Sequence, residues 1–556
     1  MRVQVASYNF NLQGDSTPFP DLQSWLVPTL SETRKEYTTQ SMSNGREAPD
    51  IYAVGFQELL PLHLAFADGE AAEDVRDHTS REIRRSIRHH AAVTRPDGLY
   101  PPGSGPEDYT VLAEVHLVAI TLFVLGRNKS RIPERVKEMR TSTAATGFFN
   151  LMGNKGAVGV RLVLDSTVPV MGSQTLGESQ TEVLTFVCAH LAAHDHNAPR
   201  RNQDFQSIVQ RLAFAPDAAS ALPLTPASAQ PDLKRGEAVD SAKLQEQYEA
   251  TQQPTKVPAT QRKTGVEAAL DDKTYSLYDS HHTFFFGDLN YRIALDKPKS
   301  ASKKDEGSGS GSGLTKHDVR RKVSQQDYAH LAPHDQLNQH RQAGRTLHGF
   351  VDWPLRLASF GPTYKYKPQR SQQDAEGNVA RDRGNAPLKD QEMSPKRVPG
   401  WTDRILWISN QGKVAGFSAT GKGEKKAPTT TSNDTVDAAQ LHGLNVELYR
   451  SIMGYTLSDH KPITLIASLP APTTFSSRLA PYQLDRAYQA HYRAAGKTLD
   501  GLVGFGWSLL ISMGAGRILV GVSEVVVIAL ISVWWLRSGG QGGDLGYWFG
   551  HLTARP

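Results

Sequence analysis

The chain has 556 residues, with 62 Lys and Arg against 57 Asp and Glu, a net charge of +5, and one cysteine. A single cysteine excludes an intrachain disulfide and a zinc–cysteine cluster, and fits a reducing compartment. The positive excess is small and scattered, so no basic stripe argues for nucleic acid.

The first residues, Met1 to Ala6, predict a strand and lack the apolar core of a signal peptide. Asn9 and Asn11 follow it. A second apolar run, Asp50 to Phe56, ends at Gln57-Glu58, and a third, Val183 to Ala189, ends at His190. Asn197 and Pro199 predict a helix start, with Phe205, Ile208, Val209 and Leu212 at helical spacing. The aromatic run Phe284 to Phe286 stops at Gly287, and Asp288, Asn290 and Arg292 come in close succession. Arg404 to Ile408 follows Asp403, and Ser458-Asp459-His460 comes last. Continuous apolar runs of this length suit strands buried on both faces. With helix signals between them, the fold class is α/β, with sheets at the centre and helices outside.

Polar stretches rich in Ala, Pro, Gln, Ser and Gly separate these segments at about 215–275, 297–325, 368–394 and 411–438, and read as insertions without helical or strand period. Pro470-Ala471-Pro472 closes a catalytic domain over 1–470, and 471–498 reads as a linker. A membrane anchor is expected over 499–537, apolar from Leu499 to Leu536 except for Asp500, Arg517 and Glu524, and a short tail, 538–556, follows. Ile518 to Leu536 is about long enough to cross a bilayer and ends at Trp534-Trp535 and Arg537, an interfacial anchor pattern. A tail anchor, a hairpin that dips and returns, and a buried C-terminal helix pair compete; membrane attachment is favoured. The catalytic domain is then expected on the cytosolic side of an endomembrane.

The strand ends supply hard oxygen ligands, two histidines and orienting carboxylates. That set suits Mg²⁺ rather than zinc or copper. No Walker loop, dinucleotide glycine pattern or serine-triad order is present. Each residue alone reads more readily as a turn or core residue; their repetition at strand ends does not. With Mg²⁺ on Glu58 and an asparagine, His460 oriented by Asp403 is placed as a general base. Asp288 and Asn290 would align water, and His190 would bind a phosphoryl oxygen. The expected reaction is in-line phosphoester hydrolysis.

Phe286 to Arg292 and Pro399 to Leu406 resemble the two signature motifs of the inositol polyphosphate 5-phosphatases. The resemblance extends to Tyr8 to Asn11, Gly55 to Leu59, Gly153 to Val158, His190 to His194, Pro362 to Tyr366 and Ser458 to Pro462, in family order from about 3 to 468. It implies the DNase I-like fold of two packed β-sheets flanked by helices, a Mg²⁺ site, and removal of the 5-phosphate from inositol lipids or soluble inositol phosphates. It matches Glu58 and Asn11 or Asn9 to the metal site. It matches His460, Asp403, Asp288, Asn290, His190 and Asp459 to catalysis. It matches Tyr364, Lys365, Arg397 and the adjacent Lys396 to the 4-phosphate, and Asn154 and Lys155 to the 1-phosphate side. Arg292 is either a phosphate clamp or a brace. Gly400 and Thr402 stand where the family has alanine and cysteine, and Pro395 where it has a basic residue. The apolar cluster Phe148, Phe149, Leu151 and Met152 is expected to dip into a membrane. A same-fold Mg²⁺ nuclease and an inactive phosphoinositide-binding scaffold are the alternatives.

Overall fold

The computed structural model describes residues 1–14, 19–27, 48–88, 108–165, 181–216, 273–295, 314–352, 360–368, 392–410, 440–441, 443–472 and 480–513. Among these, two β-sheets pack face to face. The first has strands β1 (Arg2–Asn9), β2 (Ile51–Gln57), β3 (Tyr109–Leu117), β4 (Ile120–Arg127), β11 (Gln440–Leu441), β12 (Leu444–Ser451) and β13 (Ile463–Ser468). Their spatial order is β11-β12-β13-β1-β2-β4-β3. The second has β5 (Val136–Ala145), β6 (Gly156–Asp165), β7 (Thr181–His190), β8 (His282–Asp288), β9 (Val351–Asp352) and β10 (Asp403–Ser409), in the order β5-β6-β7-β8-β10-β9. Both sheets are mixed: β1 runs parallel to β2, and β7 parallel to β8.

The apolar runs are continuous because each central strand is covered on both faces. Val3, Val5, Ile51 and Ala53 point between the sheets and meet Val158, Val160, Phe186, Phe284 and Phe286. Alternate residues such as Ala6, Tyr8, Tyr52 and Val54 point outward, under Trp25 and the helix Glu70–Arg88. On the other outer face, Val187 and Phe285 lie under Phe205, Ile208 and Val209 of the helix Ala198–Arg211. The sheets approach closely at Gly55, where a Cβ would fall 2.6 Å from Cys188 Sγ and 2.7 Å from the Phe286 ring. Burial pushes the Cys188 thiol up to about 12, so it acts as a small apolar wedge.

Several expectations change. Asn197 stands at the start of its helix, but its carboxamide donates to the Ala193 carbonyl at 2.7 Å instead of capping helix N–H groups. The stretch 297–325 is not wholly without structure. Lys316–Ser324 is a helix, Thr315 and Asp318 form a reciprocal capping box, and Val319 is buried. Nor does the chain separate from the domain after residue 470. Tyr488 is buried, and its hydroxyl accepts from Ala145 N–H at 2.9 Å. The helix Arg493–Met513 then lays Leu499, Val503 and Trp507 on the first sheet's outer core. Residues 499–513, expected to begin a membrane anchor, are therefore seated on the catalytic body. Among the described residues no helix is long and apolar enough to cross a membrane. The predicted span Ile518 to Leu536 and the insertion at 411–438 lie outside the described residues.

Because the sheet spacing at Gly55 leaves no room for a side chain, Gly55→Val is expected to destabilise the domain by about 1–3 kcal/mol or more. A lowered thermal midpoint in calorimetry checks this; an unchanged midpoint would contradict the packing.

Candidate active site

Strand register builds the site. In the second sheet, His190 is paired with Asp288 across β7 and β8, and Asp288 with Asp403 across β8 and β10. Three reactive side chains thus stand in one row on adjacent strands. In the first sheet, Asn9 ends β1, Glu58 follows β2, and His460 precedes β13, again on adjacent strands. The two sets meet where the sheet ends converge. Gly287 makes the meeting possible: its φ is +137°, and a Cβ there would lie 1.9 Å from the Ala189 carbonyl oxygen.

Asp288 is the hub. Its Oδ1 accepts from Asn290 N–H at 3.0 Å, and its Oδ2 from the carboxamides of Asn9 at 3.0 Å and Asn290 at 3.1 Å. His190 Nε2 is 3.3 Å and His460 Nε2 is 3.8 Å from the same Oδ2. Burial favours the neutral acid, but His460 and His190 outweigh it and hold Asp288 far below the usual carboxylate range.

Asp403 Oδ2 faces His460 Nδ1 at 3.0 Å and accepts from the hydroxyls of Thr363 at 2.6 Å and Thr402 at 2.9 Å. Burial opposes a charged imidazole and also pushes the Asp403 carboxyl up. The attraction of Asp403 and Asp288 nevertheless raises His460 to about 9. With three groups already directed at one carboxylate oxygen, the proton belongs on the imidazole. His460 is therefore held as an imidazolium near neutrality. The hydroxyls of Thr363 and Thr402 are functional groups the sequence reading missed. Thr402 stands where the family motif has a cysteine, and its hydroxyl is directed at Asp403.

The remaining residues sort by contact. Lys155 Nζ reaches His190 Nε2 at 2.5 Å. Burial, then Lys155, lower the His190 pKa, and burial lowers that of Lys155. Lys155 thus stands against His190, with Glu58 and Asp288 close enough to act on its charge, at the inner end of the loop matched to the 1-phosphate side. The Asn154 carboxamide oxygen accepts from Phe148 N–H at 3.3 Å and braces the loop. Asp459 pairs with Lys365 and stands outside the His460–Asp403 dyad. Tyr364 lies 4.5 Å from the His460 ring, and the Arg292 guanidinium sits 3.9 Å over the Tyr364 ring. Arg292 Nη2 donates to Asn290 Oδ1 at 2.5 Å, while its buried Nε and Nη1 have no acceptor within hydrogen-bonding distance. It is both brace and open clamp. Arg397 is half-buried and close enough to His194 to lower its pKa, after burial; Lys396 is exposed. Phe148 and Phe149 are exposed as expected and Leu151 partly so, but Met152 is buried in the first sheet's outer core.

For a metal, Asp288, Asp403 and His460 offer atoms within 4.8 Å of one another. The Asp403 oxygen and His460 Nδ1 are committed to each other, so that trio is a hydrogen-bonded dyad beside a carboxylate. Glu58 fits better. It projects from a residue with φ of 51°, is partly open, and lies 3.8 Å from His190 Nε2. With the Asn9 carboxamide oxygen and Asp288 nearby it offers hard oxygen donors, which suit Mg²⁺ or Ca²⁺. Asn9 is the site asparagine; Asn11 contributes its backbone N–H to Asn9 Oδ1 at 3.1 Å.

Because the folded His460 pKa, about 9, lies above its ordinary 6.5, its charge stabilises the fold fully below pH 6.5 and the effect is lost as pH rises through about 9. In chelator, the stability advantage of the wild type over His460→Gln is expected to shrink across that window in denaturant titrations. An advantage that grows with pH would contradict the charged dyad.

The model of the endonuclease/exonuclease/phosphatase family 2 matches residues 7–466. Rat synaptojanin-1 is 24% identical over 413 residues, 73% of this chain and 18% of that protein. An Arabidopsis thaliana type IV inositol polyphosphate 5-phosphatase 9 is 24% identical over 366 residues, 65% of this chain and 64% of its own length. A mouse type II inositol 1,4,5-trisphosphate 5-phosphatase is 25% identical over 467 residues, 84% of this chain and 29% of that protein. The chain thus spans about a fifth of the length of the synaptojanins it matches. A crystal structure of a synaptojanin inositol polyphosphate 5-phosphatase domain, with inositol (1,4)-bisphosphate and calcium, is 19% identical with a TM-score of 0.45 and 93% coverage of both chains. The chain belongs to the endonuclease/exonuclease/phosphatase family 2, and its relatives include inositol polyphosphate 5-phosphatases, as its motifs implied.

Proposed function

We propose that this protein hydrolyses the 5-phosphate of phosphoinositides such as phosphatidylinositol 4,5-bisphosphate at a membrane surface, using Mg²⁺. The observation that carries the reading is the row His190, Asp288, Asp403 facing Asn9, Glu58 and His460. This is a cluster of oxygen donors and two histidines, with no nucleophilic serine or cysteine in it.

The charge states assign the roles. Asp288, held ionised, keeps lone pairs for the proton of an attacking water, and the Asn9 and Asn290 carboxamides fix its orientation. His460, held protonated by Asp403, presents Nε2–H to a phosphoryl oxygen as charge develops there. Lys155 and the unpartnered N–H groups of Arg292 add donors for the phosphoryl group. Water adds in line to phosphorus as Asp288 takes its proton, the bond to the inositol oxygen breaks, and that oxygen leaves as an alcohol by taking up a proton from solvent, after which Asp288 releases its own. A divalent cation held by Glu58 and the Asn9 carbonyl would polarise the phosphoryl oxygen. Tyr364, Lys365, Arg397 and Lys396 form the basic side of the cleft suited to a neighbouring ring phosphate. In this reading the C-terminal stretch attaches the protein to an endomembrane, with the domain on the cytosolic side. The 3,4,5-trisphosphate and soluble inositol polyphosphates are further candidate substrates.

Phosphate release from inositol lipids, soluble inositol phosphates and DNA separates the readings. Release from an inositol substrate, abolished by chelator and restored by Mg²⁺, is expected. Asp288→Ala, His460→Ala and Glu58→Gln should each lose about 10²–10⁴-fold in kcat with KM less affected. DNA cleavage without phosphate release from inositol substrates would favour the nuclease, and binding without turnover the scaffold. Full activity of Asp288→Ala would falsify the mechanism.

A further inference from the structure

Among the described residues the exposed large hydrophobic side chains are Phe148, Phe149, Leu295, Tyr492, Leu502, Phe505 and Leu509. All but Leu295 lie on one loop, or on one helix and the turn that leads into it. Phe148 is 65% and Phe149 85% exposed; Leu502, Phe505 and Leu509 are 66, 69 and 49% exposed. Spacing of three and four places the last three in one stripe along the helix Arg493–Met513. The stripe formed by Leu499, Val503 and Trp507 already packs on the body. The helix is thus apolar on two sides, and among the described residues only one of them meets protein.

Helix and loop are fastened together. Both Asp500 carboxylate oxygens accept from Gly153 N–H, at 3.2 and 3.0 Å. Gly496 comes so close to the Leu151 carbonyl that a Cβ would fall 2.5 Å from its oxygen. Gly504 seats against Phe66 and Ala67 in the same way. The loop continues directly into Asn154 and Lys155, and Lys155 contacts His190.

Three observations select a lipid bilayer as the occupant. Arg486, Arg493 and Lys497 are exposed at the N-terminal end of the stripe, while the helix's one acidic residue, Asp500, is buried. A basic rim beside an apolar stripe is the pattern of a helix lying in a membrane interface with anionic headgroups. Past Met513 the sequence runs on into Ile518 to Leu536, apolar and about long enough to cross a bilayer. The patch also adjoins the loop that carries Lys155 into the site.

We propose that Phe148, Phe149 and the Leu502, Phe505, Leu509 stripe form one lipid-contacting platform, with the helix lying in the plane of the bilayer interface. Docking then presents the Lys155 loop, pinned by Asp500, to a headgroup at the membrane surface. The platform deepens the phosphoinositide reading and rests on it for its purpose, but its contact with lipid is tested apart from catalysis.

The full chain is reconstituted with vesicles of phosphatidylcholine and phosphatidylserine. A bimane is placed at Phe505→Cys or, should that variant misfold, at Leu502→Cys; Cys188 is buried and stays unlabelled. The control is Lys129→Cys, exposed after β4, at the sheet end away from the site. Lipid-borne nitroxides at shallow depth are expected to quench the helix label and not the control. Equal quenching at both positions, or a helix-label shift that depends on protein concentration without lipid, overturns the proposal and points to a second copy. In the activity arm, the triple variant Leu502→Ser, Phe505→Ser, Leu509→Ser should turn over vesicle-borne phosphatidylinositol 4,5-bisphosphate about tenfold more slowly, with soluble inositol 1,4,5-trisphosphate turnover unchanged; tenfold corresponds to about 1.4 kcal/mol of docking. An equal loss on both substrates counts against the platform. If the wild type turns over neither, the phosphoinositide reading fails while the quenching still decides the platform.

Discussion

Asp288 must stay charged while fully enclosed, and much of the site follows from that requirement. A buried carboxylate survives only with donors and opposite charge around it. Asn9, Asn290, His190 and His460 supply them from four separate segments. Each is itself held: Asn290 by the Leu191 carbonyl and Arg292, His460 by Asp403, and Asp403 by two threonines. Removing one member leaves others as unpaired buried polar groups, so the network fixes one geometry.

The two-sheet architecture makes that network possible. Side chains at equal register on three adjacent strands of one sheet face the ends of three adjacent strands of the other. Gly287 lets β8 approach β7 beside the hub, and Gly55 lets the sheets close behind it. The outer layers need only keep these strands covered, and the helix Arg493–Met513 is one of those covers.

Much of this was legible in the sequence. The run Phe284 to Arg292 announced a buried strand ending in reactive groups because burial on both faces leaves a continuous apolar signature. The repeated ending of apolar runs in Glu, His, Asp and Asn pointed to one shared site. What was not legible depends on direction and distance. Motif position cannot tell that the Asn154 carboxamide turns back to Phe148, that Asp459 turns to Lys365, or that Met152 turns inward while Phe148 and Phe149 turn out. The charge of His460 was not legible because it depends on two carboxylates brought near by folding. The helix Lys316–Ser324 was missed although Thr315 and Asp318 carry a readable capping signal; the Gly/Ser run before it obscured the pattern. That Leu499, Val503 and Trp507 of the predicted anchor pack on the body while Leu502, Phe505 and Leu509 stay exposed was not legible either, because apolar periodicity does not say which face meets protein.

The most direct measurement is the identity of the phosphate removed. Phosphorus NMR of the product from inositol 1,4,5-trisphosphate, with Mg²⁺ present, distinguishes the possible bisphosphates. Inositol 1,4-bisphosphate together with inorganic phosphate is the expected outcome, and its absence in the Asp288→Ala reaction ties it to this site. Loss of the 1- or 4-phosphate instead, or no loss from either this substrate or phosphatidylinositol 4,5-bisphosphate, would contradict the assignment.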